Sequence, residues 1–435
     1  MPMLNIPALY QLFQEHGRVT TDSRQAGSGV IFFALRGERF NGNDFAMEAL
    51  AAGSPCVVAD DPSLGGKRGI FFVEDVLTAL QQLAAYHRNR LGIPILAITG
   101  TNGKTTTKEL IQTVLSKAFP VSATLGNLNN HIGVPLTLLS MDASTRVGIV
   151  EMGANHPGEI ALLCRIASPT HGLITNIGKA HLAGFGGFEG VIQTKNELYQ
   201  ALNAPGRTLF VNGANLLLTG LLEGTQADLV RYGAHPDSCC RLEEQSSWPF
   251  LVASWGDISI PTSLAGSYNL ENLEAACATA LHFGMKPLTI AEAIAAYQPR
   301  NNRSQWVETG KNRVLCDFYN ANPSSLSLSL SHFIRYEVPP GMKKIALLGD
   351  MFELGDVAEE EHLRILSLLA ASPEVEVWTA GLHFLSASAQ CPGVARSFAD
   401  TESMAAAVGH ANLRGNVVLV KGSRGMRMEQ LLPLL

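Results

Sequence analysis

The sequence predicts an α/β protein of three units, the larger two built on mostly parallel sheets. Three observations predict it. Short runs of branched apolar residues recur along all 435 residues and alternate with helix-compatible stretches, the pattern of buried strands covered on both faces by helices. The length exceeds one ordinary core, since about 100–200 residues per domain implies two to four domains. Finally, Gly100-Thr101-Asn102-Gly103-Lys104-Thr105-Thr106 lies between the apolar run Ile95–Ile98 and the helix-compatible Thr107–Gln112. Strand, Gly-rich turn, Lys-Thr and helix is the layout of a loop whose backbone N–H groups close around phosphate oxygens. The loop is the short form G-x-x-G-K-T-T, because Ile98 stands where the longer P-loop pattern has its first glycine. It predicts an ATP user.

The first unit, residues 1–86, is a small α/β unit with strand candidates Val30–Leu35, Cys56–Ala59 and Ile70–Val73. Helical periodicity over Val76–Arg90 leads out of it. The central unit, 87–298, begins with the strand before the loop and adds apolar runs at Val147–Val150, Gly172–Thr175 and Thr208–Val211. Residues 223–262 are more polar and fit small antiparallel strands, and Gly266–Gly284 returns to an alanine-rich helix. The third unit, 299–435, starts near Pro299–Arg303 and repeats the pattern at Arg313–Cys316, Lys344–Leu348, Val375–Trp378 and Val417–Val420. It reads as a Rossmann-like doubly wound domain, but no G-x-G-x-x-G follows its first strand, which gives little support to a dinucleotide role.

Composition excludes several classes. Apolar residues at 46% and charged residues at 16% are those of a globular protein. A net charge of −6 gives no electrostatic reason to expect nucleic-acid binding. No apolar run reaches the ~18–20 residues that span a bilayer. The start, Met1–Pro7, lacks the basic and apolar regions of a secretory leader. Seven scattered cysteines (56, 164, 239, 240, 277, 316, 391) form neither a disulfide framework nor a C-x-x-C zinc pattern, and a reducing, cytoplasmic location is expected.

Candidate chemistry outside the loop collects at strand ends. Glu151 follows the run Val147–Val150, where a nucleotide-bound Mg²⁺ needs an anionic oxygen; position alone fits a solvated carboxylate equally well. His181, in Asn176-Ile177-Gly178-Lys179-Ala180-His181, emerges at the same sheet edge, and a surface histidine would sit there too. Lys195, in Gln193–Glu197, carries no signal by itself. Asn127, Asn129 and Asn130 precede Ile132–Pro135 and suit a polar substrate contact or an ordinary turn. In the third unit, Asp317–Pro323 and Lys421-Gly422-Ser423-Arg424 end strands, and the two cations around a Gly-Ser turn suit an anionic ligand or a polar loop.

Taken jointly and in order, the loop Gly100–Thr106, Glu151-Met152-Gly153, Asn176–His181 and Gly266-Ser267-Tyr268-Asn269-Leu270-Glu271-Asn272 resemble the Mur ligase family over essentially the whole chain. The resemblance implies a UDP-substrate domain, a central ATPase domain and a C-terminal Rossmann-like domain. Four further motifs resemble the family member that adds a D-alanyl-D-alanine dipeptide: Gly126–Pro135, Tyr319-Asn320-Ala321-Asn322-Pro323, Leu348–Gly355 and Leu419–Arg427. The Asp-Asn-Pro-Arg signature of the diaminopimelate- or lysine-adding relative is absent. The implied activity joins D-alanyl-D-alanine to the free carboxylate of UDP-N-acetylmuramoyl-tripeptide through an acyl phosphate, in cytoplasmic peptidoglycan precursor synthesis. A monomer without nucleic-acid or membrane partners is expected.

The resemblance also implies roles. Lys104 would hold the ATP phosphates within Gly100–Thr106, while Thr105 and Glu151 would hold one Mg²⁺. His181 and a carbamylated Lys195 would place a second metal. Lys104, Lys195 and His181 form the implied catalytic set. Asn272, Arg303 and Asp317 would contact the nucleotide. Ser23, Arg24, Arg36 and Gly37 in the first unit match the substrate-binding pattern, joined by Asn127, Asn129, Asn130, Tyr319, Asn320, Asn322, Lys421, Ser423 and Arg424. The chain departs from the family at Ala183 and Gly187, where relatives often carry Glu and Ser, and at Phe318, commonly Ser. Two other readings are a sister amide ligase, such as a folylpolyglutamate synthase, and a nucleotide-gated regulator with a degenerate site. Survival of Lys104, Thr105, Glu151, His181 and Lys195 speaks against the second.

Overall fold

The computed structural model describes residues 5–299 and 302–435. The leader reading at Met1–Leu4 and part of the third-unit start, Arg300 and Asn301, lie outside the described residues. The chain folds around three main sheets, all dominated by parallel pairing.

The first sheet takes β1 (Arg18–Thr20), β2 (Val30–Phe33), β5 (Val57–Ala59) and β6 (Ile70–Phe72) in the order β1-β2-β5-β6, with a small hairpin of β3 (Arg36–Gly37) and β4 (Phe40–Asn41) beside it. Strands β2 and β5 are buried throughout, whereas β1 is a half-exposed edge with one buried residue, which is why no apolar run announces it.

The helix Val76–Leu91 joins this unit to the next. Asp75 caps it by accepting the Thr78 N–H at 2.6 Å, and Gly92 ends it at φ +63°. Its inner face, with Leu80 and Leu83 fully buried, packs on helices Gly133–Leu139 and Glu159–Ala167 of the central unit. His87 Nε2 meets the Met141 carbonyl at 2.8 Å, and the Arg88 guanidinium donates to the carbonyls of Ala167 (2.9 Å) and Ser168 (3.1 Å). One continuous core therefore runs from Leu9, Phe13 and Phe33 through Leu80 and Leu83 to Val134, Ile174 and Leu198.

The central sheet comprises β7 (Ile95–Thr99), β8 (Val121–Ala123), β9 (Val147–Glu151), β10 (His171–Ile174), β11 (Thr208–Asn212) and β12 (Asp228–Tyr232). All are parallel, in the order β12-β11-β10-β7-β9-β8. The fully buried β7 lies between β10 and β9, with Ile98 beside Glu151 and Thr99 beside Ile174. That register puts the loop after β7 between residues 152 and 175 at one sheet edge. The polar stretch forms an antiparallel sheet of β13 (Glu243–Ser246), β14 (Val252–Trp255) and β15 (Ile258–Pro261). The alanine-rich segment splits into a 3-10 turn, Ser267–Asn269, and a helix, Leu270–His282, packed on Lys104–Leu115.

The third sheet orders β16 (Gln305–Glu308), β17 (Arg313–Cys316), β18 (Lys343–Gly349), β19 (Val375–Ala380), β20 (Arg396–Phe398) and β21 (Asn416–Lys421) as β16-β17-β21-β18-β19-β20, with only β16 antiparallel. It has its own two cores, one of which reaches Ala265 and Trp248 of the central unit.

Arg88→Ala removes two hydrogen bonds from the carbonyls that end a buried helix. It is expected to destabilise the chain by roughly 1–3 kcal/mol; equilibrium denaturant unfolding measures this, and an unchanged midpoint would refute the anchoring role.

Candidate active site

Glycine geometry opens the site. Gly100 (φ +144°) and Gly103 (φ +78°) take backbone conformations that a side chain would strain, and a Cβ on Gly103 would come within 2.6 Å of Asn272 Oδ1. The helix Lys104–Leu115 begins at Gly103, so its first N–H groups have no acceptor inside the helix and point out of its end. The loop is stitched to the end of β10. Thr101 N–H donates to Asn176 O at 2.9 Å, and Asn102 N–H donates to Asn176 Oδ1 at 3.0 Å. Gly178 N–H donates to Thr101 Oγ1 at 2.9 Å, and Thr175 Oγ1 donates to Asn102 O at 2.6 Å.

Around this loop lies a cavity of about 690 Å³. Lys104 Nζ donates to the loop's own carbonyls at Gly100 (2.6 Å) and Thr101 (3.0 Å). Burial pushes its ammonium down to about 8, with Arg303 adding to the effect and Glu151 opposing it. Thr105 is buried. Glu151, the last residue of β9, is only 2% exposed. Its Oε1 accepts from Asn129 Nδ2 at 2.8 Å, while Oε2 is buried without a partner. A buried carboxylate oxygen left unpaired is a strong acceptor for a cation.

Lys195 enters from the helix Phe188–Ala201 and is 3% exposed. Among the described residues its Nζ has no hydrogen-bonding or ion-pair partner and stands 5.5 Å from the Phe185 ring centre. Burial first, and the Lys104 ammonium second, push it down to about 7 against the pull of Glu159 and Glu197. His181 sits at φ +51° and pairs through Nδ1 with Glu353 Oε2 of the third unit. Burial holds its imidazole below the usual range, Glu353 opposes this, and the ammoniums of Lys104 and Lys195 reinforce it.

The third unit closes the cavity with residues from the ends of β17 and β21. Asp317 accepts from Lys421 Nζ at 2.5 Å, from Ser329 Oγ at 2.8 Å and from the Ser304 N–H at 3.3 Å. Arg303 lies 3.8 Å from the Tyr319 ring centre with its Nε buried and unpartnered. Asn322 caps the helix Pro323–Arg335 through Oδ1, and its Nδ2 donates to Asn102 Oδ1 at 2.8 Å. Ser324 Oγ accepts the Lys179 N–H at 2.9 Å, and Lys179 Nζ pairs with the buried Glu361 at 2.5 Å. Asn272, 8% exposed, accepts from Thr107 Oγ1 at 3.0 Å.

Residues 16–88 match the Mur ligase family catalytic domain, 98–280 the Mur ligase middle domain, and 302–424 the Mur ligase glutamate ligase domain. A UDP-N-acetylmuramoyl-tripeptide–D-alanyl-D-alanine ligase of Bacillus subtilis (strain 168) is 32% identical over 425 residues, covering 96% of this chain and 92% of the relative. The chain belongs to the Mur ligase family. A ligase of the same name from Synechocystis sp. is 36% identical, covering 94% of this chain and 89% of the relative. Among solved structures, MurF from Acinetobacter baumannii superposes with TM-score 0.86 at 29% identity, covering 98% of both chains. MurF ligase from Thermotoga maritima in complex with ADP gives 0.84 at 26% identity, covering 96% of both.

This Mur ligase brings most of the sequence-selected residues to one cavity: Gly100–Thr106, Asn127, Asn129, Asn130, Glu151, His181, Lys195, Asn272, Arg303, Asp317, Tyr319, Asn320, Asn322 and Lys421 line it. Six others do not. Ser23 is half-buried and Arg24, Arg36 and Gly37 are exposed in the first unit, with Arg24 paired to Asp22 and Arg36 to Asp60, both at 2.7 Å. Ser423 is buried, accepting the Phe352 N–H at 2.9 Å, and Arg424 is exposed, 5.6 Å from the Tyr319 ring centre. Tyr268, Ser304 and Ser329 also line the cavity, and Glu353 touches His181. Tyr268 and Glu353 belong to Gly266–Asn272 and Leu348–Gly355, but their partners are far off in sequence and give no local sign.

The depressed Lys195 ammonium has a thermodynamic signature. Between about pH 7 and about pH 10 the unfolded chain binds a proton there that the folded chain does not. In CO₂-depleted buffer the Lys195 contribution to stability therefore rises with pH across that window. Lys195→Met should flatten the rise in thermal unfolding, and an unaltered slope would remove the assignment.

Proposed function

We propose that this chain is an ATP-dependent amide ligase that joins D-alanyl-D-alanine to the free carboxylate of UDP-N-acetylmuramoyl-tripeptide in peptidoglycan precursor synthesis. The observation that carries the reading is identity of 32% and 36% with ligases of that name across nearly the whole chain. Around the same phosphate-binding loop stand a lysine, an unsatisfied carboxylate oxygen and a buried unpaired amine.

A carboxylate resists amines because its oxygens are poor leaving groups. Transfer of the ATP γ-phosphoryl group to the tripeptide carboxylate makes an acyl phosphate and ADP. The neutral amine of D-alanyl-D-alanine attacks the acyl carbon, and collapse of the tetrahedral adduct expels phosphate and leaves the amide. Charge neutralisation and positioning are the protein's share. Lys104 exchanges the carbonyls of Gly100 and Thr101 for phosphate oxygens, beside the free N–H groups of the helix start. Arg303, Asp317 and Asn272 hold the nucleotide, with Arg303 and Asp317 delivered by the third unit. Asn127, Asn129, Asn130, Tyr319, Asn320, Asn322 and Lys421 face the acceptor and dipeptide. Ser23, Arg24, Arg36 and Gly37, outside the cavity lining, would take the far end of the long UDP-linked substrate.

The donor set fits Mg²⁺. The Thr105 hydroxyl and the unpartnered Glu151 Oε2 are hard oxygen donors. When bound, the ion offsets phosphate charge. A carbamate on Lys195 would supply two further oxygens. It forms when the neutral amine adds to CO₂ and loses a proton, and an amine held near 7 is substantially neutral at physiological pH. His181 would support the second ion through its remaining nitrogen. We place the enzyme in the cytoplasm as a monomer; seven free thiols among the described residues suit a reducing compartment.

Phosphate release from ATP is expected to need both UDP-N-acetylmuramoyl-tripeptide and D-alanyl-D-alanine. Release indifferent to the dipeptide, or satisfied by one amino acid, would sink the assignment. Lys104→Ala should lower kcat by about 10²–10³, read in the same assay. With ¹³C-bicarbonate, a carbamate carbon resonance should be present in the parent chain and missing from Lys195→Ala; identical spectra would exclude the modification.

A further inference from the structure

The helix that starts at Lys104 carries a second lysine that no step above uses. Lys108 is 3% exposed, and among the described residues its Nζ donates one hydrogen bond, to the Thr124 carbonyl at 2.8 Å. An ammonium removed from water with a single neutral acceptor is expensive, and packing alone would be served as well by an apolar side chain of similar length.

Thr124 follows β8 and is 1% exposed. Its N–H donates to Ile149 O at 3.0 Å, and its Oγ1 accepts the Glu151 N–H at 3.0 Å. Further along the same segment, Asn129 Nδ2 donates to Glu151 Oε1 at 2.8 Å, and Asn129 O accepts the Gly153 N–H at 2.8 Å. Glu151 is thus gripped twice by residues 124–129, at its backbone and at its carboxylate. Lys108 ties the base of that segment to the helix bearing Lys104 and Thr105. Residues three apart share a helix face, and Thr105 and Lys108 are separated by about 4.5 Å of rise. The hydroxyl of Thr105 and the clamp on Glu151 are therefore set by one rigid element.

We propose that Lys108 is a positioning residue that fixes the separation between the Thr105 hydroxyl and the Glu151 carboxylate, the two oxygen donors of the divalent-cation site. The proposal rests on the reading of Glu151 as a metal ligand. It predicts that Lys108 matters to nucleotide binding only when the cation is present.

ADP affinity of the full chain, measured by calorimetry in saturating Mg²⁺ and again in EDTA, separates the cases. Lys108→Met and Thr124→Val should each lose about tenfold in Mg²⁺, the scale of lost support behind a metal ligand, and keep the parent affinity in EDTA. Glu151→Gln should behave in the same way. If Glu151→Gln loses the Mg²⁺-dependent affinity while Lys108→Met and Thr124→Val retain it, the role of Lys108 is overturned and Glu151 stands. If Glu151→Gln retains it, the metal reading falls, and the Lys108 proposal with it. Equal loss by Lys108→Met with and without Mg²⁺ would make Lys108 a support of the loop alone and overturn the proposal. Should Lys108→Met fail to fold, Thr124→Val decides by the same two measurements.

Discussion

The N–H groups at the start of the helix Lys104–Leu115 have no acceptor within that helix, and the surrounding structure is arranged about them. An α-helix that opens directly from a fully buried strand needs a turn that keeps its first amides pointing outward. Glycines at 100 and 103 provide that turn. Neighbouring strand ends then brace it, through Asn176 and Thr175 on one side and the Glu151 segment on the other. The parallel order of the central sheet makes this possible, since it brings every strand's carboxyl end to one edge. The third sheet presents the ends of β17 and β21 to the same space, and Asn322 meets Asn102 across it.

Much of the architecture was legible in the sequence, for a physical reason. Strands buried on both faces, such as β7, β17 and β21, must be continuous apolar runs, and they were read as such. Edge strands β1, β8, β12, β16 and β20 bury fewer side chains; Val121-Ser122-Ala123 has no apolar run to find. At the site, local spacing revealed the loop and marked the strand-end positions of Glu151 and Asp317, while their roles came from the family resemblance. Lys195 needed a family resemblance, because a lysine's meaning depends on what surrounds it. Its burial beside Phe185 and Lys104 is a tertiary fact. Lys108 was passed over for the same cause, as its partner Thr124 belongs to a different element.

Charge explains why the cavity is held from several directions. Lys104, Lys195 and Arg303 line one space; burial first, and repulsion from the neighbouring cation after it, depress the two ammoniums. Glu151 offsets it at Lys104, and Glu159 and Glu197 offset it at Lys195. An anionic nucleotide entering such a site relieves repulsion as well as making contacts. Lys179 and Glu361, outside that space, tie the third unit to the segment that braces the loop.

The single core running from Leu9 through the helix Val76–Leu91 to Leu198 has a consequence for cooperativity. Three units can be counted by sheets, but the first two share one apolar interior, and the third has cores of its own that, among the described residues, take in only Ala265 and Trp248 from the central unit. Cutting between the first and second would expose a face of Leu80, Leu83, Val134 and Leu138 that water does not tolerate, so their boundary is one of topology without being one of independent folding. A rearrangement that admits substrates would have its natural seam at the third unit, where the Asn322–Asn102 and Lys179–Ser324 hydrogen bonds and the Lys179–Glu361 pair can be exchanged for water and the apolar contact is confined to Ala265 and Trp248.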